Sequence, residues 1–280
     1  STGDWQFVNF NNRLHCFHAG VSPQRYDGAS DSGERWSAHY NATAINDTGH
    51  ISSSVTTITV DSTVGFPPNG KIIIEDEIIS YTGITATTFT GCTRGVNSTS
   101  SATHNDNVAV TTYTIPLTVT TFDPSCGMGY YGRLWCGGVT ESKDVVYWSN
   151  LLDGDDWNGG DAGVLDLSKI WGTDEVVAIA PFYGQLIIFG KNNIAIYDSP
   201  TAVGSLALNE VISGIGCVSR DSVQAIGDDL VFLSATGLRS LLRTAEKDKL
   251  PLTDLTVNIK DTVIRNIGNS NNVKSVYVES

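Results

Sequence analysis

Through most of this chain apolar and polar residues alternate in short runs broken by Gly, Asn, Asp and Pro, the two-residue period of a strand with one buried face. Trp5 to Phe10 and Arg13 to Phe17 predict two strands joined by a turn at Asn11-Asn12. Ser22 to Gly28 predicts a loop or edge strand, because Pro23 has no N–H for a ladder. The polar stretch Ala29 to His50 follows, with Trp36 and Tyr40 as its anchors. Further strands are predicted at Thr56 to Val60, Lys71 to Glu75, Ile78 to Tyr81, Thr88 to Thr93 and Asp106 to Val110. Turns at Pro67-Pro68-Asn69-Gly70 and Val96-Asn97-Ser98 separate them, and Glu75-Asp76-Glu77 is expected as a solvated hairpin tip. Thr111 to Thr121 leads on to three more hairpin regions: Leu134 to Gly137 with Asp144 to Ser149, Phe182 to Gly190 with Asn193 to Tyr197, and Ser222 to Leu242. One segment departs from the two-residue period. Leu255, Ile259, Val263 and Ile267 fall every four residues and predict a helix over Thr253 to Ile267, capped by Thr253 or Asp254 and ended by Gly268. Its β-branched residues have low helix propensity, so packing on the strands or on a neighbouring subunit must hold it.

A repeat lies within this pattern. The phrases FNNRLHCFHAG, YGRLWCGG, YGQLIIFG and IGDDLVFLSATG share Leu14, Leu134, Leu186 and Leu230. The last three leucines recur at intervals close to the roughly 40–50 residues of a four-stranded propeller blade. The interval from Leu14 to Leu134 is far longer, and a separate module inserted there restores the period. The expected fold is therefore mainly β: propeller-like repeated blades, incomplete in number, with an inserted small β-sandwich or barrel-like domain and one helix near the C-terminus. The expected organisation is 1–50 as a first propeller segment, 51–112 as the inserted domain, 113–250 as further blades, and 251–280 as the helix and a terminal strand.

The chain has 280 residues, 40% of them hydrophobic and 17% charged, enough for a substantial core. Seventeen basic against 30 acidic residues leave a net charge of −13, which argues against a surface that grips nucleic acid. No apolar run approaches the roughly 18 residues of a membrane span. The opening at Ser1 without Met suggests a processed or partial piece of a longer protein. The five cysteines show no metal-ligand spacing and are expected as buried thiols, with a Cys126–Cys136 hairpin bridge as the alternative.

Candidate chemistry is sparse. Gly127, Gly129 and Gly132 match G-x-G-x-x-G but precede the strand Arg133 to Cys136 rather than a helix, so they predict a glycine-rich approach to that strand and not a phosphate cradle. His15 and His18, three apart on a strand, point to opposite faces. The loop LLDGDDWNGGD offers Asp153, Asp155, Asp156 and Asp161 as a weak Ca²⁺ candidate, since hard cations favour several carboxylate oxygens, although it lacks the Glu of an EF-hand. Ser149 to Trp157 approximates a sialidase Asp-box with Ser149 and Asp153 each displaced by one position. No H-E-x-x-H, G-x-S-x-G or P-loop occurs, so no catalytic residue, no cofactor and no enzymatic activity are expected.

The phrases WQFVNFNNRLHCFHAGVSPQRYDG, GRLWCGGVTESKDVVYWSNLLDGDDWN, EVVAIAPFYGQLIIFGKNNIAIY and GCVSRDSVQAIGDDLVFLSATGLRSL resemble the tail nozzle, or tail tubular, proteins of short-tailed bacteriophages. The segments TTITVDSTVGFPPNGKIIIEDEIISYTG and TTFTGCTRG resemble a small β module that recurs in phage structural proteins. The resemblance covers most of Trp5 to Leu250. It implies a structural virion protein, assembled in the host cytoplasm, that forms a six-fold homo-oligomeric ring in the phage tail. Such a ring sits among tail adaptor and tail fibre proteins and conducts DNA during ejection without binding it specifically. Nozzle subunits are usually longer than this chain. An acidic average charge suits a wall that polyanions slide past. Two rival readings remain. One is a receptor- or glycan-binding tail protein using the inserted domain or propeller loops, with Trp36, Tyr40 or Trp157 as stacking platforms. The other is a secreted propeller hydrolase, supported by the imperfect Asp-box and the sequons at Asn41, Asn46 and Asn97.

Overall fold

The alternating runs form strands. In the first sheet β1 (Gln6–Phe10), β2 (Arg13–His18), β3 (Val21–Tyr26) and β4 (Glu34–Arg35) pair in chain order, all antiparallel. The computed structural model of the chain describes residues 4–26, 34–35, 42–64, 66, 68–96, 99–113, 116, 118–119, 121–157, 161–198, 200–241, 255–256, 262 and 273–276. The expected loop or edge strand around Pro23 is instead an interior strand, flanked by β2 and β4. Its register with β2 breaks between Cys16 and His18, and this irregularity is where a residue with no N–H is tolerated.

The next strands build a separate unit. They are β5 (Ala42–Ala44), β6 (His50–Ile51), β7 (Thr57–Thr59), β8 (Gly70–Ile74), β9 (Glu77–Tyr81), β10 (Gly83–Ile84), β11 (Thr88–Thr90), β12 (His104–Asn105) and β13 (Ala109–Tyr113). They form three small sheets, β5-β13-β8-β9, β10-β11-β7 and β12-β6, around one core that includes Ile45, Ile58, Ile72, Ile79 and Phe89. Strand pairing carries this unit from Ala42 to Tyr113, wider at both ends than 51–112. Thr111 to Tyr113 therefore do not return the chain to the first pattern but pair with Ile73, Ile72 and Lys71.

Two four-stranded sheets and one of three follow. The second sheet is β14 (Cys126–Tyr130), β15 (Arg133–Val139), β16 (Ser142–Trp148) and β17 (Gly163–Asp166). After the one-turn helix α1 (Ser168–Trp171) comes the third, β18 (Val176–Phe182), β19 (Gln185–Gly190), β20 (Asn193–Asp198) and β21 (Ala207–Ser213). The fourth is β22 (Gln224–Ile226), β23 (Asp229–Ser234) and β24 (Gly237–Ser240). All three are antiparallel and paired in chain order. The protein is thus mainly β, built of several small antiparallel sheets.

The repeated leucines mark equivalent places. Leu14, Leu134, Leu186 and Leu230 each stand second in the second strand of their sheet, opposite Asn9, Gly129, Pro181 and Ala225. Pairing fixes what each strand face presents, because residues directly opposite share a face. The faces stack in chain order. Phe10 and Phe17 meet Leu134, Cys136 and Tyr147 between the first and second sheets. Trp135 and Trp148 meet Leu186, Ile188 and Ala195 between the second and third. Ile187, Phe189 and Ile194 meet Leu230 and Phe232 between the third and fourth. Gly127 and Gly129 serve the first of these interfaces. A Cβ on Gly127 would stand 2.5 Å from the Phe17 ring, so the glycines are packing positions and cradle no phosphate.

The turns before these leucines form a linked rim. Asn11 and Asn12 (φ 47° and 59°), Tyr131 and Gly132 (45° and 69°), and Tyr183 and Gly184 (45° and 79°) are left-handed pairs, the turn that matches the twist of a two-residue hairpin. The first residue of each reaches the next sheet. Asn11 donates to the Leu152 carbonyl, the Tyr131 hydroxyl lies 3.8 Å from the place a Cβ on Gly184 would take, and the Tyr183 hydroxyl donates to the Asp228 carbonyl at 3.3 Å. At the equivalent place in the fourth sheet stands Gly227, which has no side chain to extend.

Of the helix expected over Thr253 to Ile267, Ile259, Val263 and Ile267 lie outside the described residues. Leu255 is in a turn, and its N–H donates to Leu238 on β24 at 2.9 Å. Among the described residues no helix is long and apolar enough to cross a membrane.

Candidate functional site

The acidic loop between β16 and β17 is shaped by Asn150. Its N–H donates to the Asp156 carbonyl at 2.7 Å and its Nδ2 to the Asp156 carboxylate at 2.9 Å. Its Oδ1 accepts from the N–H groups of Leu151 at 2.8 Å and Asp161 at 3.1 Å. Two of the four carboxylates the sequence offers to a cation, Asp155 and Asp161, turn to arginines. Asp155 accepts from Arg13 at 2.8 Å and from the buried Arg25, both on the first sheet, while Asp161 pairs with Arg133 at 3.0 Å. Asp153 accepts from the Asp155 N–H at 3.0 Å. Burial, and then the neighbouring Asp156, push the Asp153 carboxyl up, partly offset by Arg13 and Arg25. Among the described residues no three His, Cys, Asp or Glu side chains are placed to hold a metal ion. The loop is an ionic clamp between the first and second sheets.

His15 lies inside this clamp. Its ring meets Phe10 edge-on at 6.1 Å, and a Cβ on Gly154 would be 3.1 Å from it. Burial, then Arg25 and Arg13, lower its pKa to about 3, so it is neutral at physiological pH. His18 is elsewhere, against Trp5 at 4.9 Å with Nδ1 2.7 Å from the Ala19 carbonyl. Trp157 is buried and packs on Phe122 at 5.0 Å, so it anchors the loop and offers no stacking platform. Trp36 and Tyr40 lie outside the described residues.

A second concentration of charge lies where the four sheets converge. A cavity of about 380 Å³ is lined by Asp4 and His18 of the first sheet region, Ser125 before β14, Glu175 and Lys191 of the third, and Arg220 and Asp221 before β22. Arg220 holds this end together. Its guanidinium donates to the carbonyls of Ser125 at 2.5 Å and Asp4 at 3.2 Å and pairs with Asp221 at 2.7 Å. Glu175 pairs with Lys143 at 3.3 Å and with Lys191, and Lys274 with Asp4 at 3.1 Å. Of these contacts, those of Arg220 with Ser125 and Asp4 and of Lys143 with Glu175 link one sheet region to another.

The charged site that sequence reasoning missed is in the 42–113 unit. Glu77, expected at a solvated tip, is 1% exposed. Arg94 donates to both its carboxylate oxygens, at 2.8 and 2.7 Å, and the N–H groups of Gly95 and Ala102 reach it at 2.9 and 3.0 Å. His104, also buried, bridges it to the exposed Glu75, with 2.7 Å on each ring nitrogen. Burial alone would raise the Glu77 pKa, but Arg94, the Ala102 N–H and His104 outweigh it and hold it at about 2. Only the turn reveals this. Glu75 takes a left-handed φ of 55° and closes a two-residue hairpin, so Glu77 is the first residue of β9 rather than part of the tip.

The five cysteines are free thiols. A Cys126–Cys136 bridge is ruled out by register: Cys126 opposes Gly137 and Cys136 opposes Gly127, so the two point to opposite faces and into different cores. Of the sequons, Asn46 is exposed and donates to Asp61 at 2.9 Å, while Asn41 and Asn97 lie outside the described residues.

No protein-family model and no characterised relative matches the chain. Solved structures similar to it include the phage phi92 endosialidase, at 10% identity and a TM-score of 0.32, where the match covers 82% of this chain and 40% of that one. The extracellular domain of the putative hybrid two-component system BT4673 from B. thetaiotaomicron gives 12% and 0.34, over 90% of this chain and 33% of that one. Kluyveromyces lactis Hsv2 gives 10% and 0.30, over 89% and 79%. The chain thus spans well under half the length of the first two, and similarity at this level carries no functional argument.

Proposed function

We propose that this chain is a structural virion protein of a phage tail. In this reading the stacked sheets are blades of an open propeller carrying an inserted β domain, and several copies, six in the resembled family, form a nozzle ring through which the genome leaves. The observation that carries the reading is where the charged side chains go. Asp155 with Arg13 and Arg25, and Arg220 with the Asp4 and Ser125 carbonyls, join one sheet to another. A molecule whose charged side chains are committed to holding sheets together suits a load-bearing part of an assembly, and the sequence phrases that resemble tail nozzle proteins support a phage tail as that assembly. The net charge of −13 fits a conduit that repels phosphate.

Light scattering and electron microscopy of the purified chain, alone and mixed with virion components, test the proposal. A ring of several subunits with a central hole is the expected outcome. A monomer at every concentration that also ignores tail components would overturn it.

A further inference from the structure

Three of the four sheets present their repeated leucine to the sheet before them in the chain: Leu134 to the first, Leu186 to the second, Leu230 to the third. Leu14 has the same place in the first sheet, and pairing puts Phe7, Cys16 and Tyr26 on its face. Among the described residues no sheet covers that face. Phe7 is 63% exposed and Tyr26 37%, and a cleft of about 520 Å³ opens beside Leu14 and Tyr26. The turn rim repeats the asymmetry, because Asn11, Tyr131 and Tyr183 each reach forward to a later sheet.

We propose that this face is where a second copy of the chain docks, and that it receives the aromatic and leucine-rich turn rim of that copy. This rests on the ring-forming reading above and names its contact. Two arguments select the occupant. The face continues the leucine interfaces already built inside the chain, and its strand positions carry no acidic residue, so two chains of charge −13 can meet there without opposing carboxylates. The rim holds the complementary apolar surface, since Leu152 is 64% and Tyr183 65% exposed, and Leu151 and Leu152 lie against the Gly132 turn. A side face meeting an end rim is a head-to-tail contact, and such contacts generate rings when the rotation closes.

Cysteine cross-linking of the full chain tests this, because Cys16 lies on the face and the other four thiols are buried. A Leu152→Cys variant under mild oxidation should give covalent dimers and a ladder of higher species, lost on adding Cys16→Ser. In parallel, Phe7→Asp and Tyr26→Asp should reduce the assembled mass by light scattering to that of the monomer, with circular dichroism unchanged. An assembled wild type with neither cross-link nor response to these charges overturns the face and leaves the ring reading standing. A wild type that is monomeric at every concentration overturns both.

Discussion

At the scale of single residues, burial of ionisable groups ties this protein's stability to pH. His15 has a folded pKa of about 3 and Glu77 of about 2, against ordinary values of 6.5 and 4.5. Between each pair of values the unfolded chain binds a proton that the folded chain does not, so stability is complete above the ordinary value and is lost as pH falls toward the folded one. The windows are pH 6.5 to 3 for His15 and 4.5 to 2 for Glu77. The His15→Asn variant should therefore flatten the decline of unfolding free energy between pH 6 and 4.5 by about 1.4 kcal/mol per pH unit, as read from urea titrations at several pH values. An unchanged slope would mean that His15 protonates in the folded clamp. Glu77 lies in a different unit, so its contribution below pH 4.5 should survive that substitution.

At the scale of elements, the hairpins owe their spacing to small residues at chosen places. Gly127 and Gly129 on β14 let Phe17 and Phe10 of the first sheet approach the second, and the room left on Gly127 is less than one methyl. Gly127→Ala should destabilise the stack by about 1–3 kcal/mol, the usual effect of overpacking, and lower the thermal midpoint without altering the strand content. Gly129→Ala, where the nearest atom would be at 3.3 Å, should cost less. A reversed order would show that the first and second sheets are not packed through Phe17. The left-handed tyrosines at 131 and 183 are a counterpart to these glycines. Their backbone conformation is disfavoured by roughly 1–2 kcal/mol each, and the position persists because the ring lies across the next turn.

For the whole molecule, the 42–113 unit and the sheet stack have separate cores, one around Ile45, Ile72 and Phe89, the others around Phe17, Trp135 and Phe189. Each unit therefore buries its own apolar surface. Replacing residues 42–113 by a short Gly/Ser linker should leave the stack folded, with a cooperative thermal transition and an intact near-ultraviolet signal from Trp135 and Trp148. Loss of that transition would show that the unit is needed to build the stack. The first sheet must stay correctly placed when the unit is removed, and the Asp155 clamp with Arg13 and Arg25 holds it against the second independently of the unit.

The sequence by itself determined the strand-rich class, the four repeated hairpins and the segment that interrupts them, because a two-residue period and turn residues such as Asn11-Asn12 act over a few neighbours. It placed Gly127 and Gly129 in a glycine-rich approach to a strand, and the structure added that they pack against Phe17 and Phe10. The tertiary structure decided what depends on partners distant in sequence. It turned Asp155 and Asp161 from ligands in waiting into arginine partners, because Arg13, Arg25 and Arg133 come from other strands. It moved Glu77 from an exposed tip into a buried ion pair, because Arg94 and His104 close over it. It made the Pro23 strand interior, through a break in register that no local pattern announces. Charge pairing across sheets and strand order are set by where the chain returns, and composition and periodicity carry no record of that.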